Sequence, residues 1–250
     1  MEIDVEDKNV VLIVADTLTA LHLPSYGYER DTAPFLTELA EDNILVKNAY
    51  SNAPRTAPSH ASLFSGNLPS EHGMTTGSIM FNEHSFVQDL QESGYNTVGI
   101  SANDLVSKDL NFDRGFDSFH EVFDFDTESS EDFFRAARKA LKNPDIETFR
   151  KGLKFLYNKF TGSSSRGAET IEDIVKKEIK SENQPNFLFI NYTEVHLPYN
   201  APEEYVDQFT DKPSEKLSRH MKDHLNSDKP EIFYQVFPNC TDQELVDLYD

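Results

Sequence analysis

The chain has 250 residues, 38% of them apolar and 19 of them Phe, which supplies enough apolar surface for one large folded domain. Its 23 Lys and Arg against 44 Asp and Glu leave a formal net charge of −21, which excludes the cationic face of a nucleic-acid-binding protein. The single cysteine, Cys240, excludes an intrachain disulfide and favours a reducing compartment.

The acidic residues are spread along the chain rather than gathered in a tail, which predicts a solvated, self-repelling surface. Such a surface fits a salt-adapted, halophilic cytoplasm, and it fits an ordinary acidic protein equally well. The start, MEIDVEDK, is acidic, whereas a secretory signal has a basic start, and no segment approaches the ~20 apolar residues that span a bilayer. We therefore expect a cytoplasmic protein without a membrane partner.

The N-terminal residues alternate strand and helix signals. Asn9 to Ala15 is a continuous, largely β-branched apolar run, typical of a strand buried on both faces of a parallel sheet, and Asp16 follows it. A helix is predicted from Thr32 to Glu41, and a strand from Ile44 to Tyr50. The apolar stripe of that helix consists of Phe35, Leu36, Leu39 and Ala40.

A second helix–strand unit follows, after which the pattern changes. Ser85 to Ser93 predicts a helix that ends at Gly94, and Tyr95 to Ser101 predicts the next strand. Long charged stretches predict a helical insertion at about residues 124–181, and Asn186 to Tyr192 (NFLFINY) again has the character of a buried strand. This alternation predicts an α/β fold with a mostly parallel sheet flanked by helices.

The C-terminal residues predict the start of a helix. Thr241 and Glu244 form a capping box, and Leu245 and Leu248 begin an apolar stripe. The stripe covers roughly two turns, which is shorter than a stable isolated helix. We therefore expect residues 1–250 to be the N-terminal, C-terminally incomplete part of a longer domain.

A hydroxyl and a carboxylate stand at positions typical of a catalytic site. Thr56 is predicted as the N-cap of a helix that has Pro58 in its first turn and ends at Gly66. A helix N-terminus offers free N–H groups to an oxyanion, so it suits a nucleophile that attacks phosphate or sulfate, although Thr56 taken alone is more typical of a residue that only caps its helix. Asp16 ends the first strand and His196 follows a later one, so we expect both to converge with Thr56 at one edge of the sheet.

Several motifs together resemble the sulfatase branch of the alkaline-phosphatase superfamily. They follow one another along the chain as VLIVADTLTALHLPSYGY, TAPFLTELA, TAPSHASLFSGNLPSEHG, FDRGFDSF and VHLPYNAP. The resemblance implies an alkaline-phosphatase-like fold and a metal-dependent hydrolase of sulfate or phosphate esters. It also implies a small anionic ester as the substrate and a divalent metal, Ca²⁺, Mn²⁺ or Zn²⁺, as the cofactor.

The resemblance implies roles for individual residues as well. Asp16 and Thr56 match metal ligands, and Thr56 also matches the nucleophile. His196 matches the residue that contacts the substrate or protonates the departing oxygen. His60 and Asn103 match positions that contact the substrate.

Several positions depart from the sulfatase pattern. Sulfatases oxidise a Cys or Ser to formylglycine within Cys/Ser-x-Pro-x-Arg, whereas this chain has Thr56 at the first position and His60 at the last. Because threonine does not undergo that modification, we expect no formylglycine and a direct attack by the Thr56 hydroxyl, as in related phosphodiesterases and phosphomutases. Thr17 replaces the second residue of the usual acidic pair, and the downstream Asp-His-Gly metal motif would lie beyond residue 250.

Three functions fit these residues. The first is hydrolysis of a sulfate or phosphate ester with Thr56 as the nucleophile. The second is a non-catalytic relative that binds a partner or an anionic ligand, a function suggested by the departures at Thr19, Leu21 and His60. The third is a phosphotransferase that passes the group to an alcohol instead of water.

Overall fold

A parallel sheet of four strands forms the centre of the computed structural model. The strands are β1 (Val10–Ala15), β2 (Asn96–Ser101), β3 (Ser118–Glu121) and β4 (Asn186–Tyr192). Their spatial order is β1-β4-β2-β3, and each neighbouring pair is parallel, as the alternation of elements predicted. The structure describes residues 8–75, 80–122, 167–179 and 184–196, together with residues 205, 208 and 209.

Helices and short turns connect these strands. The helices are α1 (Pro34–Asp42), α2 (Thr56–Ser65), α3 (Pro69–His72), α4 (Phe86–Glu92) and α5 (Gly167–Glu178). Short 3₁₀ turns occupy Ala20–His22, Pro24–Tyr26 and Lys108–Leu110. None of the helices in the described ranges is long and apolar enough to cross a membrane.

Apolar side chains cover both faces of the sheet around β4. On one face, Phe187 and Phe189 pack in a cluster with residues of α2 and α4. On the other face, Leu188 and Ile190 pack with Ile171 of α5. Because successive side chains of a strand point to opposite faces, this central strand contributes to both cores. Its continuous apolar run therefore follows from its position between β1 and β2.

The prediction that β1 is buried on both faces is wrong. Leu12 packs against the aromatic core, whereas Val11 and Ile13 are 56% and 57% exposed. The strand lies at the edge of the described sheet, where α5 covers Leu188 and Ile190 of β4 but leaves their β1 neighbours open. A continuous apolar run does not by itself distinguish a central strand from an edge strand.

The strand predicted from Ile44 to Tyr50 is absent from the structure. These residues follow α1 without regular secondary structure, and Ile44 and Val46 are exposed. A strand requires a hydrogen-bonded neighbour, and none of the four described strands pairs with this segment. Helix α1 confirms the helix predicted before it, although its apolar residues Phe35, Leu36 and Leu39 are also exposed.

Helix α4 is confirmed together with its predicted end at Gly94, and the structure adds a capping box at its start. The Ser85 hydroxyl accepts a hydrogen bond from the Val87 N–H, and the Gln88 side chain accepts one from the Ser85 N–H. Gly94 follows the helix with φ +88°, a conformation that glycine adopts without strain. Within the predicted insertion, the structure describes residues 167–179, and most of them form α5. The predicted C-terminal helix lies outside the described residues.

Strand β3 was not predicted, and its contact with β2 depends on a glycine. Gly99 of β2 is the register partner of Phe119. A Cβ atom added at Gly99 would lie 2.4 Å from Phe119 Cδ2 and 3.1 Å from Phe116 Cδ1. The two aromatic rings therefore occupy the space that any larger residue would need.

We predict that Gly99→Ala lowers the free energy of unfolding by about 1–3 kcal/mol, because the added methyl group overpacks the core. Urea unfolding followed by circular dichroism measures the change. Gly167→Ala is the matched control, since its Cβ would meet the end of the exposed Glu194 side chain, which can move away. Equal losses of stability in the two variants would contradict the packing argument.

Candidate functional site

The carboxylate of Asp16 accepts hydrogen bonds from two other elements of the fold. Asp16 follows β1 and is 9% exposed. Its Oδ2 accepts a hydrogen bond from Asn103 Nδ2 at 2.6 Å and another from Thr56 Oγ1 at 3.3 Å. Asn103 follows β2, and Thr56 begins α2. The three side chains therefore lie together at the carboxyl edge of the sheet, where open α/β sheets bind their ligands.

Thr56 is the first residue of α2, and Arg55 is the N-cap, so the prediction of Thr56 as the N-cap is wrong by one residue. Arg55 has the extended backbone of an N-cap, and the Thr56 hydroxyl contacts Asp16 instead of capping the helix. Pro58 in the first turn and Gly66 after the last residue, with φ +73°, match the prediction. The first N–H groups of α2 have no partner within the helix and can attract an anion beside Thr56.

The amide of Asn103 is held in one orientation. Its Oδ1 accepts a hydrogen bond from the Leu105 N–H at 2.9 Å, so the NH₂ group faces Asp16. The backbone of Asn103 is fixed by Ser101, whose hydroxyl contacts both its N–H and its carbonyl. A short hydrogen bond to a carboxylate is among the stronger kinds, so Asn103 restrains Asp16. Its predicted contact with the substrate stays a prediction.

Thr17, at the second position of the family's acidic pair, connects two loops of the site. Its hydroxyl donates a hydrogen bond to the Val195 carbonyl at 2.7 Å. Its φ of +65° lies in the left-handed region, which is unfavourable for a β-branched residue. The N–H of Asp16 also donates to the Tyr192 carbonyl at 2.8 Å. The end of β1 is thus tied to the end of β4 by the backbone and by the Thr17 side chain.

His196 lies in the turn that follows β4, at the same edge of the sheet. Its N–H donates to the Thr193 carbonyl at 2.9 Å, which closes the turn, and the residue is half-buried. The contact between Thr17 and Val195 brings this turn next to the end of β1. The predicted role of His196 at the departing oxygen stays a prediction.

His60 lies inside the protein beneath Thr56. Its side chain is in T-shaped contact with three aromatic rings, and the residue is 4% exposed. Nδ1 is 2.9 Å from the Thr56 carbonyl oxygen, and Nε2 is 3.3 Å from Nδ2 of Asn191. Burial lowers the pKa of the His60 imidazole, while the hydrogen bond to Thr56 and the charge of Asp16 act in the opposite direction. The predicted contact of His60 with the substrate stays a prediction.

Asn191 was not predicted from the sequence. This residue is fully buried in β4 and lies opposite Val14 of β1 and Ser101 of β2. A polar side chain within the apolar run NFLFINY was the available signal, because a buried amide needs hydrogen-bond partners. In the structure that partner is His60.

The described residues alone do not fit a divalent cation. Asp16 and Thr56 offer a carboxylate and a hydroxyl, which are suitable oxygen ligands, but a Ca²⁺ ion takes about 6–8 oxygen ligands. Among the described residues, no three His, Cys, Asp or Glu side chains are grouped so as to hold a metal. The amide NH₂ of Asn103 already donates to Asp16 Oδ2, the oxygen that Thr56 also contacts. Further ligands would have to come from elsewhere in the protein.

The sequence matches a known protein family along most of its length. The family model described as Sulfatase matches residues 8–247. The chain belongs to the sulfatase family. A curated relative, the iduronate 2-sulfatase of Mus musculus, is 23% identical to this sulfatase-family chain over 252 residues, covering 94% of the chain and 43% of the relative. The chain thus spans less than half the length of this relative.

Solved structures confirm the alkaline-phosphatase-like fold of this sulfatase-family chain. A protein of the alkaline phosphatase superfamily from Vibrio parahaemolyticus matches with a TM-score of 0.51 at 18% identity, covering 97% of this chain and 48% of its own. A protein solved in complex with its substrate D-glucosamine-2-N,6-O-disulfate matches with a TM-score of 0.53 at 18% identity, covering 83% and 39%. At such identities the likeness concerns the fold.

We predict that the hydrogen bond between Asn103 and Asp16 stabilises the fold. A double-mutant cycle of Asp16→Ala and Asn103→Ala should give a coupling energy of about 1.5–3 kcal/mol, because the acceptor is charged and buried. The matched control is the cycle of Gln91 and Asp117, whose exposed amide–carboxylate bond of 2.9 Å should couple by less than about 1 kcal/mol. Similar coupling in the two cycles would contradict the role of burial.

We also predict that His60 makes stability depend on pH. Because burial lowers its pKa in the folded state, the unfolded chain binds a proton near the ordinary pKa of 6.5 that the folded chain does not bind. The contribution of neutral His60 is therefore complete above pH 6.5 and is lost as the pH falls towards the folded-state pKa. The stability difference between wild type and His60→Gln, measured by urea unfolding, should shrink between pH 8 and pH 5. A constant or growing difference would refute this assignment.

Proposed function

We propose that this protein hydrolyses a small sulfate ester, with the Thr56 hydroxyl as the nucleophile. The observation that carries the proposal is the hydrogen bond from Thr56 Oγ1 to Asp16 Oδ2 at the N-terminus of α2. A hydroxyl becomes a useful nucleophile when a base lies within hydrogen-bond reach, and contacts of this kind tighten when substrate binds. Membership of the sulfatase family supports the same chemistry.

The proposed reaction has two steps. In the first, Thr56 Oγ1 bonds to sulfur, its hydrogen passes to Asp16, and the bond between sulfur and the ester oxygen breaks as His196 protonates that oxygen. In the second, a water oxygen attacks sulfur, His196 takes a water proton, and the bond between sulfur and Thr56 breaks. Sulfate leaves, and Thr56 regains its hydrogen from Asp16. Both residues that move protons are thereby restored.

The N-terminus of α2 is proposed to receive the anionic group. The free N–H groups of its first turn and the positive end of the helix dipole favour an oxyanion beside Thr56. The N-cap, Arg55, is exposed and adds a cationic side chain next to the nucleophile. These groups would stabilise charge on the nonbridging oxygens of the ester in the transition state.

We further propose that a divalent cation such as Ca²⁺ assists the reaction. Sulfatases generally use a divalent metal, and Asp16 and Thr56 are the ligands proposed here. When bound, such a cation withdraws charge from the oxygens around it. The missing ligands are proposed to lie outside the described residues.

A sulfated sugar is the proposed kind of substrate, by analogy with the structural relative that binds a D-glucosamine disulfate. A phosphate ester is the second candidate, since an unmodified threonine hydroxyl is the nucleophile that the resemblance to phosphodiesterases and phosphomutases implies. A cytoplasmic location and an adaptation to high salt stay predictions.

We predict that Thr56→Ala reduces hydrolysis of an aryl sulfate, measured with Ca²⁺ present, to the uncatalysed background while Thr56→Ser keeps part of it. The alanine lacks the attacking oxygen, whereas the serine retains it. Ser65→Ala is the matched control, because Ser65 also carries a hydroxyl on α2 but donates it to the Ala61 carbonyl at the opposite end. An aryl phosphate is assayed in parallel.

Turnover that is unchanged in Thr56→Ala would refute the proposed nucleophile. If the wild-type protein binds the esters but turns over neither, the non-catalytic alternative is correct. A product that carries the group on an added alcohol would identify a phosphotransferase.

A further inference from the structure

A buried chain of hydrogen bonds joins the centre of the sheet to the first residue of α2. Asn191 lies on the face of β4 that also carries Phe187 and Phe189, and it is fully buried. Its Nδ2 is 3.3 Å from His60 Nε2, and His60 Nδ1 is 2.9 Å from the Thr56 carbonyl oxygen. The reaction proposed above uses neither His60 nor Asn191.

The Thr56 carbonyl determines the hydrogen positions along this series of hydrogen bonds. A carbonyl oxygen only accepts, so His60 Nδ1 must carry a hydrogen and donate it to Thr56. In a neutral imidazole the other nitrogen is then an acceptor, and Asn191 must present its NH₂ group to it. The two hydrogen bonds therefore donate in one direction, from Asn191 to His60 and from His60 to Thr56.

The orientation of the Asn191 amide supports this direction. With its NH₂ group on His60, its Oδ1 is a buried oxygen without a hydrogen-bond partner among the described residues. A buried acceptor without a partner costs free energy. The orientation of the amide therefore satisfies the hydrogen bond to His60 and leaves the amide's own oxygen unpaired among the described residues. The opposite orientation would set the amide oxygen against the unprotonated Nε2, two acceptors facing each other.

We propose that His60 and Asn191 are positioning residues for Thr56. Thr56 is then held to the sheet at two points, its hydroxyl by Asp16 at the end of β1 and its carbonyl by His60 and Asn191 on β4. The ring plane of His60 is fixed by edge contacts with Phe64, Phe112 and Phe189. Displacement of an attacking atom by even about 1 Å can cost about 100-fold in rate, so a second anchor on the nucleophile has a large effect.

The structure offers a second histidine as an internal reference. His72 Nδ1 accepts a hydrogen bond from the Met74 N–H at 3.1 Å, so its Nε2 carries the hydrogen and donates to Ser62 Oγ at 3.0 Å. In their neutral forms the two histidines must therefore have opposite tautomers. This difference can be measured without any assay of activity.

The first test is nitrogen NMR of the protein labelled with ¹⁵N-histidine at pH 8. We expect His60 to show a protonated Nδ1 and an unprotonated Nε2, and His72 to show the reverse. Asn191→Ala should shift the Nε2 resonance of His60 and leave His72 unchanged. Asn96→Ala is the matched control, because Asn96 is another buried strand asparagine whose amide bonds to Asn186 and Glu178 instead.

The second test is kinetic and rests on the proposed role of Thr56. Asn191→Ala should lower kcat for the aryl sulfate by about 10-fold or more with little change in KM, whereas Asn96→Ala should not. His60→Asn should retain more activity than His60→Gln, since the asparagine amide can replace the Nδ1 donor to Thr56. If His60 and Asn191 only stabilised the fold, activity would fall equally in Asn191→Ala and Asn96→Ala, and equally in His60→Asn and His60→Gln.

The outcomes separate this inference from the proposed function. A His60 ring protonated at Nε2 alone in the wild type would overturn the inference, whether or not any variant folds. The expected tautomer with an unchanged kcat in Asn191→Ala would also overturn it, while the loss of turnover in Thr56→Ala would keep the proposed function. Full turnover in Thr56→Ala would overturn the proposed function and the kinetic part of this inference together.

Discussion

The site depends on one buried carboxylate that connects three elements of the fold. Asp16 ends β1, and its Oδ2 accepts hydrogen bonds from the loop after β2 and from the first residue of α2. A charged group that loses most of its contact with water needs such donors, because their absence would cost several kcal/mol. The same bonds that satisfy Asp16 hold it next to the Thr56 hydroxyl at the N-terminus of α2, so they stabilise the carboxylate and also bring the site residues together.

Two residues that depart from the sulfatase pattern, Thr17 and His60, make contacts with the backbone around the site. At the second position of the acidic pair, Thr17 ties the end of β1 to the turn that contains Val195. At the position of the arginine, His60 turns into the aromatic core and contacts the Thr56 carbonyl. Both replacements exchange a charged side chain for one that fixes the backbone around the site. In this chain, contacts with the backbone therefore stand at two positions where the family pattern has charged side chains.

The sequence predicted the parallel sheet, α4, β4 and the region of the site because local signals there agree with the tertiary structure. The capping residue Ser85 and the apolar run of β4 are such signals. The exposure of Val11 and the missing strand after α1 could not be predicted, since both depend on which element lies alongside. The tautomer of His60 was equally inaccessible, because it follows from a carbonyl and an amide that only the fold brings together.

The most direct measurement of the central claim is mass spectrometry of the protein after acid quenching during turnover of a sulfate ester. Covalent catalysis by Thr56 requires that a sulfo group reside on that side chain between the two steps. We expect a sulfated peptide that contains Thr56 and that disappears once the ester is exhausted. Single-turnover cleavage of the ester without any modification of Thr56 would contradict covalent catalysis by this residue.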